Sequence, residues 1–233
     1  MKFPAGLLPF FLLIPTGALA QVGHDPARSP YRSLRYGQFL GVTSGWFAGS
    51  GGPLGVAPHG GASVGLRYDL LATGTVSLGF AASMANLKRM VIDPTLPLEF
   101  AASGPVPQRT FFGETILQFN LTGGKSWNRL APFASAGLGL ALAERTPEDG
   151  SGFSFRAKLA VTPGIGTRIF LAERLFLRLE ARGVFWQVSY PPSYRQNPST
   201  APTQPPVLVA PAKEWLTNGW LTAGVSYAFR RPF

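Results

Sequence analysis

Charged residues recur two positions apart in three stretches of this 233-residue chain. Arg67 and Asp69 form one pair, and Arg156 and Lys158 form a second. Arg178, Glu180 and Arg182 form the longest run. Residues two apart lie on the same face of a β-strand, so each run would hold its charges side by side. The charges on the corresponding strand faces are Arg67, Asp69, Glu114, Arg156, Lys158, Arg168, Arg178, Glu180 and Arg182. If these faces are buried, opposite charges must pair, because an unpaired buried charge costs several kcal/mol.

Catalytic chemistry has few candidate residues in this sequence. The chain contains two histidines, His24 and His59, and no cysteine. Ser63 follows His59 closely, but no neighbouring carboxylate is placed to orient the imidazole, as a Ser–His system would need. Two histidines in unrelated segments also make a poor metal site. The sequence therefore predicts no catalytic residue, no metal site and no cofactor.

The first twenty residues have the pattern of a cleaved secretory signal. Lys2 supplies a positive charge, Leu7–Ile14 an apolar run, and Ala18–Ala20 the small-residue cleavage pattern. We therefore predict a signal peptide over residues 1–20. Residues 21–36 are basic and contain prolines without periodicity, and they are predicted to form a periplasmic N-terminal tail.

The chain is strongly basic, with a formal net charge of +10 and an isoelectric point near 10.5. In the cytosol such a charge would suit a nucleic-acid partner. An exported chain meets other polyanions, and we expect no nucleic acid as a partner. The expected partners are outer-membrane lipids and lipopolysaccharide.

The stretch Gly61–Ser83 predicts two matched strands joined by a tight turn. Leu66 and Tyr68 alternate with small or charged residues in the first arm, as Leu78 and Phe80 do in the second. Each arm is about ten residues long, the length that a tilted strand needs to cross a bilayer. The face with small and charged residues suits the crowded interior of a narrow barrel, so the apolar face would contact lipid.

The same alternation predicts eight strands in all. The other six cover about Gln38–Ala48, Arg109–Thr122, Ala131–Ala143, Phe155–Ile169, Leu175–Phe185 and Trp215–Phe229. Asn86–Gln108 is predicted to be a long connection because it carries prolines and no clean alternation. Tyr190–Lys213 is Pro-rich and is predicted to be a long, mobile loop. Connections are long after odd-numbered strands and short after even-numbered ones.

The predicted fold is all-β, an eight-stranded antiparallel up-and-down transmembrane β-barrel over residues 37–233. A soluble sandwich gives no reason for the alternating loop lengths, which up-and-down outer-membrane barrels show. A soluble ligand-binding barrel of the lipocalin kind would need an apolar interior. An even number of strands places both termini on the periplasmic side.

Aromatic residues mark the ends of the predicted strands. Trp46, Tyr68, Phe185, Trp215, Tyr227 and Phe229 lie near these ends, where ring side chains prefer the membrane interface. Trp186 and Trp220 fall on the inward face instead. Either they cap the lumen or a β-bulge shifts the register there.

The chain resembles the small eight-stranded outer-membrane barrels grouped with the OmpA transmembrane domain. The resemblance covers roughly Gly37–Phe229 and rests on the signal segment, the loop lengths, PFASAGLGL over 132–140, GIGTRIFLAERLFLRLEARG over 164–183 and the ending GVSYAF. It implies that Val225, Tyr227 and Phe229 form the C-terminal signal read by the barrel-assembly machinery, with Phe233 as the alternative terminal aromatic. Periplasmic chaperones are implied partners during biogenesis. A peptidoglycan-binding domain after the barrel is not expected.

Six basic and three acidic side chains face inward in this assignment. A barrel of eight strands is too narrow for an open pore, so these charges predict a salt-bridged polar plug. A narrow ion path that favours anions is the alternative, and an outer-leaflet lipid-modifying enzyme is a second. The predicted function is that of a monomeric, non-enzymatic protein of a Gram-negative-type outer membrane, which supports envelope integrity or surface interaction through its outer loops.

Overall fold

Ten β-strands and two single-turn helices form the regular structure of residues 29–34, 36–145, 151–209 and 211–229, which this computed structural model describes. The strands are β1 Tyr31–Ser33, β2 Gln38–Ala48, β3 His59–Leu71, β4 Val76–Ile92, β5 Ala102–Asn120, β6 Lys125–Trp127, β7 Leu130–Ala143, β8 Ala157–Phe170, β9 Leu175–Ser189 and β10 Lys213–Phe229. The helices are α1 Leu98–Ala101 and a 3-10 helix, Pro192–Arg195. No described helix is long and apolar enough to cross a membrane.

The chain divides into two units, Met1–Pro30 and Tyr31–Phe233, and the described strands all belong to the second. The predicted signal peptide, residues 1–20, lies outside the described residues, as does the extension at 230–233. The boundaries predicted for these segments stay predictions.

Eight of the strands close into an antiparallel barrel. The sheet runs in the order β1-β6-β7-β5-β4-β3-β2-β10-β9-β8, and the pairing of β7 with β8 closes it. The first and last long strands, β2 and β10, pair from Gln38 opposite Phe229 to Ala48 opposite Gly219. Closure removes the unpaired strand edges that an open sheet would expose. The predicted eight-stranded up-and-down barrel is confirmed.

The connections between barrel strands fall at two opposite ends. Residues 49–58, 93–101, 144–156 and 190–212 join strands at what we call the loop end. Residues 72–75, 121–129 and 171–174 join strands at the turn end. The segment 121–129 includes β6, which pairs with β1. The Pro-rich segment predicted to be mobile packs onto the loop end, where Tyr194, Val207 and Leu208 are buried.

Side chains along the barrel strands alternate between the lumen and the outer face. In β3, Leu66 is 58% exposed, whereas Arg67 and Asp69 are 5% and 4% exposed. The large apolar side chains exposed on the barrel strands include Leu40, Val42, Trp46, Val64, Leu66, Phe80, Leu117, Leu138, Leu140, Leu159, Ile165, Leu179, Leu221 and Val225. This set, here called the apolar belt, comes from all eight barrel strands. Soluble monomers rarely expose large contiguous apolar patches.

The prediction of a long connection over Asn86–Gln108 is wrong. Strands β4 and β5 stay paired as far as Ile92, so most of this segment is a hairpin that extends the two strands. Its prolines argued against a strand, because proline cannot donate a ladder hydrogen bond. Pro105 and Pro107 are tolerated because β5 pairs with β7 only from Thr110 onward, which leaves this end of β5 with one paired neighbour.

Two other boundaries also differ from the prediction. The segment predicted as an N-terminal tail, residues 21–36, contains β1, which pairs with β6 at the turn end. Phe155 was predicted to begin a strand and to face outward, but β8 begins at Ala157. Phe155 is 3% exposed, and its ring packs edge-on against Trp186 at 5.1 Å between centroids.

Candidate functional site: the charged lumen

Four charged side chains form a ring of ion pairs in the middle of the lumen. Arg67 Nε lies 3.0 Å from Asp69 Oδ1, and its Nη1 lies 3.1 Å from Glu180 Oε2. Arg178 completes the ring, with 3.3 Å contacts to both Asp69 Oδ2 and Glu180 Oε2. Strands β3 and β9 are not neighbours in the sheet, so the ring connects separate parts of the barrel wall. The sequence placed these four residues on inward faces, and the structure brings them into contact.

Uncharged polar side chains complete the hydrogen bonding of this ring. Gln118 Oε1 accepts hydrogen bonds from Arg178 Nη2 at 2.6 Å and from Arg67 Nη2 at 3.4 Å. Ser135 donates to Glu180 Oε1 at 2.8 Å. Gln118 and Ser135 were not among the predicted site residues. Their position on the inward face was the one available signal, because uncharged side chains carry no pairing requirement strong enough to single them out.

A second ion pair lies between the ring and the loop end. Arg182 Nη1 donates to Glu114 Oε2 at 2.7 Å, and Thr162 donates to Glu114 Oε1 at 2.7 Å. The Arg182 guanidinium also lies over the ring of Trp220, 4.3 Å from its centroid. The two polar contacts and the ring reduce the cost of removing this pair from water, although Arg182 Nε is buried without a hydrogen-bond partner among the described residues.

Arg168 lies on the turn-end side of the ring and is 1% exposed. Its Nη2 donates to Asn120 Oδ1. The guanidinium lies against the rings of Phe39, Phe133 and Phe176, at 5.2, 5.9 and 5.9 Å from their centroids. Arg168 is therefore inside the lumen, as its strand parity predicted, but it forms no salt bridge with a described carboxylate.

Glycines on the inward face give these side chains room. A Cβ at Gly79 would lie 2.5 Å from Asp69 Oδ1, and a Cβ at Gly164 would lie 2.6 Å from Arg182 Cγ. Real Cβ atoms do not approach other atoms so closely. The small residues that made these faces look like a barrel interior are thus a steric condition for the charge network.

Arg156 and Lys158 do not join the network, so their predicted place in it is wrong. Arg156 precedes β8, has a left-handed backbone with φ 53°, and is exposed. Lys158 is on the inward parity of β8 but lies opposite Ala141 near the loop end, where it is half-exposed. Both residues sit too close to the barrel mouth to be enclosed. The predicted charges that are buried therefore comprise four bases and three acids: Arg67, Arg168, Arg178, Arg182, Asp69, Glu114 and Glu180.

The loop end of the lumen is closed by a cluster of aromatic side chains. Phe47 stacks on Trp186 at 5.5 Å, and Phe112 lies 4.8 Å from Trp220. Trp186 and Trp220 are 0% and 1% exposed. The pairing of β9 with β10 runs without a register shift past both tryptophans. They therefore cap the lumen, and the alternative of a β-bulge at these positions is wrong.

A smaller apolar cluster lies at the turn end. Phe39 and Phe176 meet edge-to-face at 5.5 Å, and Phe170 lies 5.3 Å from Phe176. Tyr36 and Leu71 belong to the same buried cluster. The ion pairs therefore lie between two layers of packed rings. This arrangement holds a polar centre in place and leaves the lumen filled by side chains.

The histidines and the C-terminal residues lie elsewhere. His59 Nδ1 is 2.9 Å from the carbonyl oxygen of Ala57 at the loop end, and His24 lies outside the described residues. The described residues include no group of three or more His, Asp or Glu side chains that could hold a metal ion. Val225, Tyr227 and Phe229 project from β10 onto the outer face. Their role as an assembly signal stays a prediction.

Solved structures share this closed barrel. The crystal structure of the outer membrane protein OprG from Pseudomonas aeruginosa matches with a TM-score of 0.52 at 13% identity, covering 85% of this chain and 99% of that chain. Neisserial surface protein A matches with a TM-score of 0.51 at 11% identity, covering 86% and 98%. The N-terminal barrel domain of P. aeruginosa OprF matches with a TM-score of 0.45 at 12% identity, covering 85% and 100%.

The sequence matches no family model and no curated protein. The chain has the fold of the small eight-stranded outer-membrane β-barrels, which confirms the predicted resemblance in fold. The structural match establishes the fold. At identities this low it does not establish an activity, which has to be argued from the chain's own residues.

Proposed function

We propose that this protein is a non-enzymatic barrel of a Gram-negative-type outer membrane whose lumen is closed. The observation that carries the proposal is the buried ring of Arg67, Asp69, Arg178 and Glu180, enclosed between aromatic layers at both ends. A conducting pore needs a continuous water-filled path. Here the polar groups bind one another, so the lumen acts as a structural core and not as a channel.

The proposed location in the membrane rests on the apolar belt and on the fold. Leu66, Ile165 and Leu221 are 58%, 68% and 63% exposed on the outer face. In water such a surface would drive association, whereas in a bilayer it contacts hydrocarbon. With the predicted signal peptide, this surface supports export followed by insertion. The barrel-assembly machinery and periplasmic chaperones are the proposed partners during that insertion.

The proposed role in the envelope is assigned to the loop end. Loops 49–58 and 190–212 pack together there through buried residues such as Val56, Tyr190 and Leu208. An ordered loop surface on a rigid barrel suits contact with lipopolysaccharide or with another surface, since ordered loops lose little entropy on binding. We propose that the protein acts as a monomer and contributes to envelope integrity or surface interaction through this end.

Membrane fractionation and gel mobility test the location. We expect the protein in the outer-membrane fraction, extractable with detergent, and faster migration of unheated than of boiled samples. Closed barrels keep their compact shape in detergent until heat unfolds them, which is the reason for this shift. Recovery in the soluble periplasmic fraction with no heat-dependent shift would overturn the proposal.

A deletion strain tests whether the protein is an enzyme or supports the envelope. The proposal expects increased permeability to detergents and unchanged lipid A. A lipid A species that disappears on deletion, and returns with the wild-type gene but not with a His59→Ala variant, would instead identify a lipid-modifying enzyme. The proposal would then be wrong about function while the fold stands.

A further inference from the structure

Arg168 differs from the other arginines of the charged lumen because it forms no salt bridge with a described carboxylate. Its Nε and Nη1 are buried and have no hydrogen-bond partner among the described residues. Arg182 also has a buried Nε without a hydrogen-bond partner among the described residues, but it is paired with Glu114. The nearby carboxylates are already engaged, because Asp69 and Glu180 each bind both Arg67 and Arg178. Glu114 binds Arg182. One guanidinium is thus left over when the buried ion pairs are formed.

The surroundings of Arg168 stabilise its charge without satisfying its donors. The rings of Phe39, Phe133 and Phe176 attract the cation through their faces. The N–H groups of a guanidinium point outward in its own plane and need acceptors there. A buried charged donor without an acceptor carries a large desolvation penalty. An acceptor that is not part of the chain would remove that penalty.

A cavity at the turn end reaches the same aromatic cage. Its volume is about 700 Å³, and its lining includes Arg32, Arg129, Glu173 and Phe39. Phe39 belongs both to this lining and to the cage around Arg168. Two basic groups face one acidic group in the lining, so the local field favours the entry of anions. The side-chain motion of one aromatic ring would connect the cavity to Arg168.

We propose that Arg168 binds a small monovalent inorganic anion, such as chloride, that enters from the turn-end cavity. Between the two aromatic layers the buried charges are four bases and three acids, and a monovalent anion balances this excess of one positive charge. Arg89 is also buried, but it lies at the loop end over the ring of Phe153. A divalent anion would leave a negative excess in the same low-dielectric space. The aromatic walls exclude large organic anions. The anion site rests on the closed lumen of the proposed function. Its test measures stability and not conductance, so the anion site and the proposed function can each fail without the other.

The test is the urea unfolding midpoint of the detergent-folded full barrel in sodium chloride and in sodium gluconate at equal ionic strength. Binding to the folded state raises stability with the logarithm of the ligand concentration above its dissociation constant. We expect the midpoint to rise with chloride and to be unchanged by gluconate. In Arg168→Met the chloride-specific rise should disappear, because Met keeps an unbranched apolar stem among the aromatic rings and removes the guanidinium donors.

Arg109→Met is the matched control, since Arg109 forms a half-exposed ion pair with Glu144 at 3.5 Å. It should retain the full chloride effect. A wild-type midpoint that is the same in both salts would overturn the site, as would an undiminished chloride effect in Arg168→Met. If that variant does not fold, crystals of the wild type grown in bromide decide. An anomalous peak beside Arg168 supports the proposal, and peaks confined to the barrel surface refute it.

Discussion

The carboxylate of Glu180 in the lumen forms ion pairs with two guanidinium groups. Glu180 Oε2 contacts Arg67 and Arg178, and Glu180 Oε1 accepts the hydrogen bond of Ser135. Removing one member of a buried ion pair is costly because its partners remain charged and out of water. Removing the charge of Glu180 affects two such partners, so this substitution is a direct probe of the ring.

We predict that Glu180→Gln lowers the free energy of unfolding by about 3 to 5 kcal/mol. Glutamine preserves the shape of the side chain, so the loss reports charge and not packing. Urea titration of the folded barrel in detergent measures it. Glu144→Gln is the control, because the Glu144 side chain is 52% exposed in its ion pair with Arg109. That change should cost less than about 1 kcal/mol. Equal effects of the two substitutions would show that Glu180 is solvated.

At the scale of single residues, the sequence predicts which strand faces carry charges. It does not predict which of these charges contact one another. The spacing of two in Arg67 and Asp69 places both in the lumen, because parity along a strand is a local property. The contact of Arg67 with Glu180 depends on strand tilt and on the order of strands around the barrel, which no local pattern encodes. Lys158 shows the opposite failure, since correct parity does not determine depth along the strand.

The aromatic layer at the loop end forms where four strands bring large rings inward. Phe47 comes from β2, Phe112 from β5, Trp186 from β9 and Trp220 from β10. Because β2, β5 and the β9–β10 pair are far apart in sequence, the complete cluster forms only when the barrel closes. The layer therefore couples closure of the barrel to burial of apolar surface.

Trp186→Ala should reduce the free energy of unfolding by about 3 to 5 kcal/mol, because truncating a fully buried ring leaves a cavity. Trp215→Ala is the matched control, since Trp215 is 58% exposed on the outer face. Its loss should be clearly smaller in the same urea titration. If the two alanine variants have the same midpoint, the rings inside the loop end do not form a packed core.

The Pro-rich segment after β9 is fixed by a hydrogen bond at its base. The Tyr190 hydroxyl donates to Glu214 Oε2 at 3.0 Å. Burial, and then this hydrogen bond, raise the pKa of Tyr190 above its ordinary value. A raised pKa means that the contribution to stability is fully present below the ordinary tyrosine pKa, about 10, and is lost as the pH rises through the folded value.

Tyr190→Phe should therefore lower the urea midpoint at neutral pH, and the difference from wild type should narrow as the pH rises above about 10. It should also increase protease cleavage within 190–212, because the anchor of that segment is lost. Circular dichroism at a series of pH values measures the midpoints. A difference that stays constant across the whole pH range would show that ionisation of Tyr190 does not break this contact.

In the barrel as a whole, the apolar side chains of the strands point outward and the charges point inward. The free-energy cost of a charge on the outer face depends on its depth in the membrane. Leu66 lies in the middle of β3, opposite Val42 of β2 and Ala82 of β4. Leu78 lies near the turn end, opposite Leu70. A charge facing lipid costs most at the bilayer midplane and little near the interface.

Leu66→Arg should thus cost about 2 to 4 kcal/mol in folding titrations into lipid vesicles, and Leu78→Arg about 1 kcal/mol or less. Both changes introduce the same side chain on the outer face, so each controls for the other. A larger cost at Leu78 would place the midplane elsewhere along the barrel. Equal and negligible costs would contradict the assignment of this face to lipid.

At the scale of the whole molecule, the barrel wall was predictable from the sequence because a membrane requires its strands to alternate between apolar and polar side chains. Alternation over Gly61–Ser83 identifies two strands, and the same pattern elsewhere predicts the closed barrel of eight. The prediction failed over Asn86–Gln108 because the extended β4–β5 hairpin pairs beyond the barrel wall, where alternation is not required and edge prolines are tolerated. β1 escaped prediction because its three residues are too short to show a period.

Conductance of the wild-type barrel in planar lipid bilayers tests the central claim most directly. The claim is that ion pairs and two aromatic layers fill the lumen and leave no open path for ions. We expect inserted, heat-modifiable protein to give no steady conductance above the bare bilayer, and the same result in chloride and gluconate salts. Steady, porin-level conductance that scales with the amount of inserted wild-type protein would contradict the closed lumen.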